Sequence, residues 1–298
     1  MGEILDQLQS SGISAKSLKN AEKYINEIGF FKLVKGYRKP FGTGTDIEDL
    51  FRLYSFDKAL KELLLKFLCT IEVAVKAQLS KFMTKQFGFA PRQYLNSKFY
   101  QDIKSPKGIY EFSKCKEKIK RTIEKNRNHR CLRHYSINNM PLPFSALAEV
   151  LSFGDINSLY THMLPLYQSQ ISKYWGVSHK FLKSALDVMR MFRNACAHNE
   201  VIYDYKTMGF NLRAREISEI YNHFNIKSNN GKYETGTDNL LAIFFIFKTM
   251  LLKERFNEFI AQYKSIIKDL HRMKNPDALD RITKILSIPN NIDELLGL

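Results

Sequence analysis

The chain has 298 residues, 44% of them hydrophobic, with only 14 Gly and 8 Pro. That length and apolar content support one large or two modest domains with real cores, and the low Gly and Pro counts exclude a collagen or Gly/Ser-linker pattern. Lys and Arg total 46 against 30 Asp and Glu, a formal charge of +16, which favours a polyanionic partner, either nucleic acid or an acidic membrane surface. The cysteines (Cys69, Cys115, Cys131, Cys196) form no CxxC pair, and the N-terminus MGEILDQLQSSG has no apolar leader. Together they predict a reducing, cytoplasmic setting.

In chain order, apolar residues recur at helical spacing over 16–36 (Leu18, Ala21, Ile25, Ile28), with stops expected near Gly29 and Gly36. Residues 42–46, Gly-Thr-Gly-Thr-Asp, form a turn in which Asp46 is the expected N-cap of the helix that follows. No strand precedes this turn and no Gly-Lys-Ser/Thr follows, so it is not a phosphate loop. Residues 48–87 predict one or two long helices with a core stripe of Leu60, Leu64, Phe67, Leu68, Ile71, Val75 and Leu79, ended by Gly88 and Pro91.

Lys114 to His134 is the most basic stretch, with nine Lys or Arg and two His against two Glu. It reads either as a solvated helix face or as an RNA-backbone contact built from Lys118, Arg121, Lys125, Arg127, Arg130 and Arg133. Met140-Pro-Leu-Pro143 marks a turn. The helix over 144–160 is expected to break at Gly154, with Asp155 capping its continuation. A helix over 179–199 follows, then an ambiguous stretch at 208–224, a loop at 228–239, a long helix at 240–270 and a polar tail of short helices from 275. Within 240–270, Leu240–Phe247 has eight apolar residues before Lys248. A bilayer span needs about 20, so this run reads as a buried helix, and no membrane partner is expected. No alternating run predicts a sheet, and the class is all-α.

The helix at 179–199 carries the candidate chemistry, in residue types that also occur by chance on solvated helix faces. Arg193, Asn194 and His198 supply a guanidinium for phosphate, an amide and an imidazole for proton transfer, the groups that metal-free RNA cleavage uses. At about 100° per residue, Phe181, Ala185, Leu186, Val188, Met189, Phe192 and Cys196 share one face, and Arg190, Arg193, Asn194, Ala197 and His198 share the other. Arg193 lies roughly 140° from His198, so the two do not stack. Ala195, Cys196 and Ala197 are small enough for another backbone or a ligand to come close. One helix offers a single histidine, whereas cleavage of RNA uses one group to deprotonate the 2′-OH and another to protonate the leaving 5′-oxygen. Two copies across a two-fold axis would supply both, which predicts a homodimer. Arg190 is a second candidate phosphate contact.

The RNACAHN sequence at the end of this helix resembles the RNxxxHN signature of the HEPN superfamily. Four ordered blocks resemble more specifically the Abi-like (AbiD/AbiF) abortive-infection family: INEIGFFKLVKGYRKPF at 25–41, LYSFDKALKELLLKFLCTIEVAVKAQLSKF at 53–82, MPLPFSALAEVLSFGDINSLY at 140–160 and ALDVMRMFRNACAHNEVIYD at 185–204. The resemblance covers roughly residues 15–270. It implies a HEPN-type helical bundle with additional N- and C-terminal helices: an N-terminal segment at 1–47, a HEPN-like domain at 48–270 with a basic insertion near 100–139, and a tail at 271–298. It also implies a metal-independent endoribonuclease toxin in antiphage defence, with Arg193 and His198 as the catalytic pair, Asn194 assisting, and no cofactor. Some AbiF-like systems are encoded beside a structured non-coding RNA, a partner the basic segment would suit. Relatives often follow the histidine with a basic residue and a tryptophan–asparagine pair, whereas this chain reads HNEVIYD. Asn199 and Tyr203 are therefore only candidate supporting residues. Glu149 is another, either orienting an arginine of the motif helix or simply solvated.

Two alternatives stand beside the nuclease. One is a non-catalytic HEPN module that binds RNA as a scaffold or sensor. The other is a zinc site from His129, Cys131 and His134, with Cys115, although that spacing matches no common structural zinc pattern. The sequence has no Gly-x-Ser-x-Gly, HExxH or dinucleotide fingerprint.

Overall fold

The structure is a computed structural model that describes residues 2–42, 44–103, 111–230 and 232–298. Thr43 of the expected turn, residues 104–110 of the expected basic insertion and Gly231 of the expected loop lie outside the described residues. As the sequence predicts, the class is all-α: 69% of the chain is helical. The paired strands among the described residues are two residues long. Among those residues no helix is long and apolar enough to cross a membrane.

The chain divides into two compact units, Met1–Phe67 with Phe192–Gly209 and Ile220–Leu298, and Leu68–Met191 with Phe210–Glu219. In the first, α1 (Gly2–Ser10) leads into β1 (Ile13–Ser14), α2 (Leu18–Ile28), α3 (Phe30–Tyr37) and β2 (Thr45–Asp46), and β1 pairs in parallel with β2. Gly29, at φ 88°, ends α2 as expected. Gly36 does not end a helix, since α3 runs through it to Tyr37. A Cβ there would sit 3.2 Å from Val201 Cγ2, so this glycine permits close packing instead. Asp46 caps α4 (Ile47–Phe87), its Oδ1 accepting the Glu48 N–H at 2.8 Å. The block at 48–87 is thus one 41-residue helix.

The core of this unit is α13 (Leu240–Met250), which follows α12 (Ser218–His223) in the chain and whose residues 240–247 are all buried. The helix expected over 240–270 is two, because Leu251 and Leu252 are extended and α14 (Lys253–Leu270) starts afresh. A helix apolar on all sides needs partners on all sides. The break lets Phe259 and Tyr263 of α14 meet Phe244 edge-on, with centroids 4.7 and 4.8 Å away. The expected polar tail is amphipathic: Ala278, Ile282 and Leu286 of α15 (Pro276–Leu286) are buried, as are Ile292 and Leu295.

The second unit holds the C-terminal half of α4, then α5 (Pro91–Tyr94), α6 (Glu111–Lys125), α7 (Arg130–Ile137), α8 (Phe144–Ala148), α9 (Phe153–His162), α10 (Pro165–Ser172) and most of α11 (His179–Ala197). Gly88, at φ +100°, follows α4, and Phe87 stacks on Phe99 at 3.9 Å. The break expected at Gly154 falls earlier, between Ala148 and Phe153. Ser152 is the N-cap and Asp155 its capping-box partner: Ser152 Oγ accepts the Asp155 N–H at 3.2 Å, and Asp155 Oδ2 accepts the Ser152 N–H at 3.1 Å. Gly154 therefore lies inside the first turn of α9.

Candidate functional site

Helix α11 delivers the motif. Its predicted apolar face is buried from Phe181 to Cys196, with Ala195 buried beside it. Arg193 and Asn194 are half-buried, and Ala197 and His198 are exposed. His198 is the first residue beyond the helix, not a residue within it. Its N–H still donates to the Asn194 carbonyl at 2.9 Å. Asn199 then adopts φ 56°, with its N–H on the Cys196 carbonyl at 3.1 Å and the Glu200 N–H on the Ala195 carbonyl at 2.9 Å. These are the paired bonds of a Schellman terminus, with asparagine in the left-handed position where glycine or asparagine is favoured. The helix thus ends so that the imidazole stands in solvent.

A network rooted in a buried ion pair holds that terminus in place. Lys61 Nζ donates to Asn199 Oδ1 at 2.7 Å and pairs with Asp57 Oδ2 at 3.1 Å. Asp57 Oδ1 accepts the N–H groups of Ile202 and Tyr203 at 2.9 and 2.7 Å, and its Oδ2 accepts the Tyr37 hydroxyl at 2.8 Å. The side chains of Lys61 and Asp57 are only 6% and 0% exposed, so each charge depends on the other and on these hydrogen bonds. Burial, then the charge and hydrogen bond of Asp57, push the Tyr37 phenol far above its ordinary value, which keeps it a donor. Tyr203, buried, stacks against Tyr37 with centroids 6.0 Å apart. Burial, then the charges of Asp204 and Asp57, push its phenol up as well.

Asp57, Lys61 and Tyr37 join the candidate site in the structure and are not among the residues expected from the sequence. A signal is present in the sequence: an acid and a base four residues apart, among Leu53, Leu60 and Leu64, which are all buried. An i,i+4 pair at core positions is not a solvated pair. One consequence is measurable. Asn199→Ala is expected to destabilise by about 2 kcal/mol, combining the left-handed backbone penalty with loss of the Lys61 hydrogen bond. Asn199→Gly relieves the backbone term and should cost about half as much. Urea unfolding distinguishes the two, and equal losses would mean the left-handed turn is not under strain.

The remaining candidates lie in the second unit. Arg190 sits over the Phe210 ring at 5.1 Å. Glu149 is exposed and makes no ion pair among the described residues. Lys118 pairs with Asp155 at 2.6 Å, and Arg127 with Glu124 at 3.8 Å. Arg121, Lys125, Arg130 and Arg133 are exposed. Lys114, Lys118 and Arg121 recur along α6 and line a cleft of about 940 Å³ together with Glu111 of the same helix and Asp155, Ser158 and His162 of α9. Burial pushes the Cys115 thiol of this cleft up, which makes it a poor nucleophile. His129 Nδ1 accepts the Cys131 N–H at 3.3 Å, capping α7. No three metal-ligating side chains converge among the described residues.

No curated protein and no solved structure matches the chain. The profile of one family, described as Abi-like protein, matches residues 23–204. That span is more than half of the chain, and it contains α4, the whole motif helix and every residue of the Asp57 network. The chain belongs to the Abi-like protein family.

Proposed function

We propose that this protein is a metal-independent endoribonuclease of the HEPN type that acts in abortive-infection defence against phage. The observation that carries the reading is the placement of Arg193 and His198 at a helix terminus, with His198 exposed and the exit of the helix held through Asn199 by the buried Asp57–Lys61 pair. A proton-transfer group must be accessible yet fixed, and this arrangement meets both needs. Arg193, assisted by Asn194, binds the scissile phosphate and faces the charge that develops on it. His198 takes the proton of the ribose 2′-OH as the new O2′–P bond forms. The P–O5′ bond breaks, and His198 of a second copy protonates the leaving oxygen. The products are a 2′,3′-cyclic phosphate and a 5′-OH end.

The test is incubation of purified protein with RNA in the presence of a chelator, with the ends identified by mass spectrometry. Cyclic phosphate ends formed without divalent metal are the expected result. RNA that is retained but uncut would favour the binding-scaffold reading instead.

RNA contacts are assigned to the exposed Arg121, Lys125, Arg130 and Arg133 and, more weakly, to the ion-paired Lys118 and Arg127. Arg130→Glu with Arg133→Glu should weaken RNA binding uniformly across sequences. It should also reduce the slope of log affinity against log salt by about one for each phosphate that is no longer neutralised. An unchanged salt slope in filter binding would remove these two residues from the interface.

A further inference from the structure

Arg52 lies on the same helix as Asp57 but belongs to a different feature of the first unit. Its Nε is buried and has no hydrogen-bond partner, and its guanidinium makes no ion pair among the described residues. It lines a pocket of about 490 Å³ between α2, α4 and α14. The nearby acids are already engaged: Glu48 pairs with Lys274 at 3.2 Å and Asp269 with Arg272 at 2.9 Å. On the pocket wall, Tyr24 and Phe51 stack at 3.8 Å with planes 9° apart, both half-exposed. Asn20, Ser55 and Ser265 add neutral hydrogen-bonding groups.

Each part has a preferred partner. A guanidinium with a desolvated N–H and no carboxylate of its own is matched by a planar or tetrahedral oxyanion, which it can grip with two parallel hydrogen bonds. A half-exposed pair of flat rings is matched by another flat ring. The volume lies within the range of small-molecule sites and is too small for a folded partner. From this juxtaposition we propose that the pocket at Arg52 binds a small organic anion, a phosphate or carboxylate borne on a flat ring, with the oxyanion on Arg52 and the ring against Tyr24 and Phe51. This site is separate from Arg193 and His198 and does not depend on their being catalytic.

The test is thermal unfolding and titration calorimetry of the full chain with four probes: phenyl phosphate, benzoate, cyclohexyl phosphate and inorganic phosphate. Phenyl phosphate or benzoate is expected to raise the melting temperature, and which of them does so identifies the oxyanion. Cyclohexyl phosphate, lacking a flat ring, should bind at least tenfold more weakly, and inorganic phosphate more weakly still. Arg52→Met should abolish the shift while leaving the unliganded protein as stable as wild type or more so, because a buried donor without a partner disappears. Phe51→Leu, which keeps the apolar volume but removes the stack, should lose the preference for the flat ring. No shift with either aromatic probe at 10-fold steps up to about 10 mM, or an undiminished shift in Arg52→Met, overturns the proposal.

Discussion

Arg193→Ala and His198→Ala are each expected to lower RNA cleavage by about 100- to 10,000-fold, the range for loss of a positioned proton-transfer group or of an electrostatic stabiliser. The stability of His198→Ala should stay within about 0.5 kcal/mol of wild type. His198 is exposed, and its bond to the Asn194 carbonyl is made by the backbone, which alanine retains. Loss of activity without loss of fold would thus locate the chemistry at the side chain. Arg193→Lys is the sharper control at the other residue. It keeps the charge but not the fork of donors that spans two phosphate oxygens, so most of the loss should persist. The two-copy reading adds a mixing test. His198→Ala titrated into wild-type protein should depress activity more steeply than dilution, because each mixed pair holds a single imidazole. Activity that falls only in proportion to the wild-type fraction would make the site self-contained within one chain.

The sequence reveals the parts of this molecule that are local and periodic. The 41-residue α4 shows as an unbroken apolar stripe, Asp46 as a cap, and the motif helix as a face of Phe, Leu, Val and Met opposite a face of Arg and Asn. Arg193 and His198 stand out because a guanidinium and an imidazole lie opposite the apolar face of that pattern. What stays hidden depends on partners far along the chain. Asp57 reaches Ile202 and Tyr203 across 145 and 146 positions, and Lys61 reaches Asn199 across 138. No periodicity registers such a pairing. Gly36 misleads for a related reason: it resembles a helix stop, but its role is set by Val201, which packs against it from beyond the motif. The break at Leu251 and Leu252 has neither Gly nor Pro to announce it. It follows from the need of α13 for apolar neighbours on every side, a tertiary demand that overrides helix propensity. The end of α11 is a middle case. An asparagine directly after the last periodic residue is a recognised stop signal, and placing His198 outside the helix was within reach of the sequence.

Asp57→Ala should cost about 3–5 kcal/mol, the typical loss when one member of a buried ion pair is removed. Lys61, with 6% of its side chain exposed, would keep a buried charge without its counter-ion. The N–H groups of Ile202 and Tyr203 and the hydroxyl of Tyr37 would lose their acceptor in the same step. Lys61→Met is the milder change, at about 1–3 kcal/mol, since Asp57 keeps its three hydrogen-bond donors while Asn199 loses one. That asymmetry separates structure from function. Lys61→Met should remain folded at 25 °C, yet amide exchange across 198–203 should quicken and RNA cleavage should fall, although Lys61 itself is assigned no contact with RNA. Asp57→Asn with Lys61→Met removes both charges and should recover part of the stability lost in Asp57→Ala, because no unpaired ion stays buried. It should not recover cleavage, since the clamp on Asn199 is still absent. If Lys61→Met cleaved RNA at the wild-type rate with unchanged exchange in the turn, the network would be a folding element alone, and the position of His198 would be fixed by the Schellman bonds of α11 without help from α4.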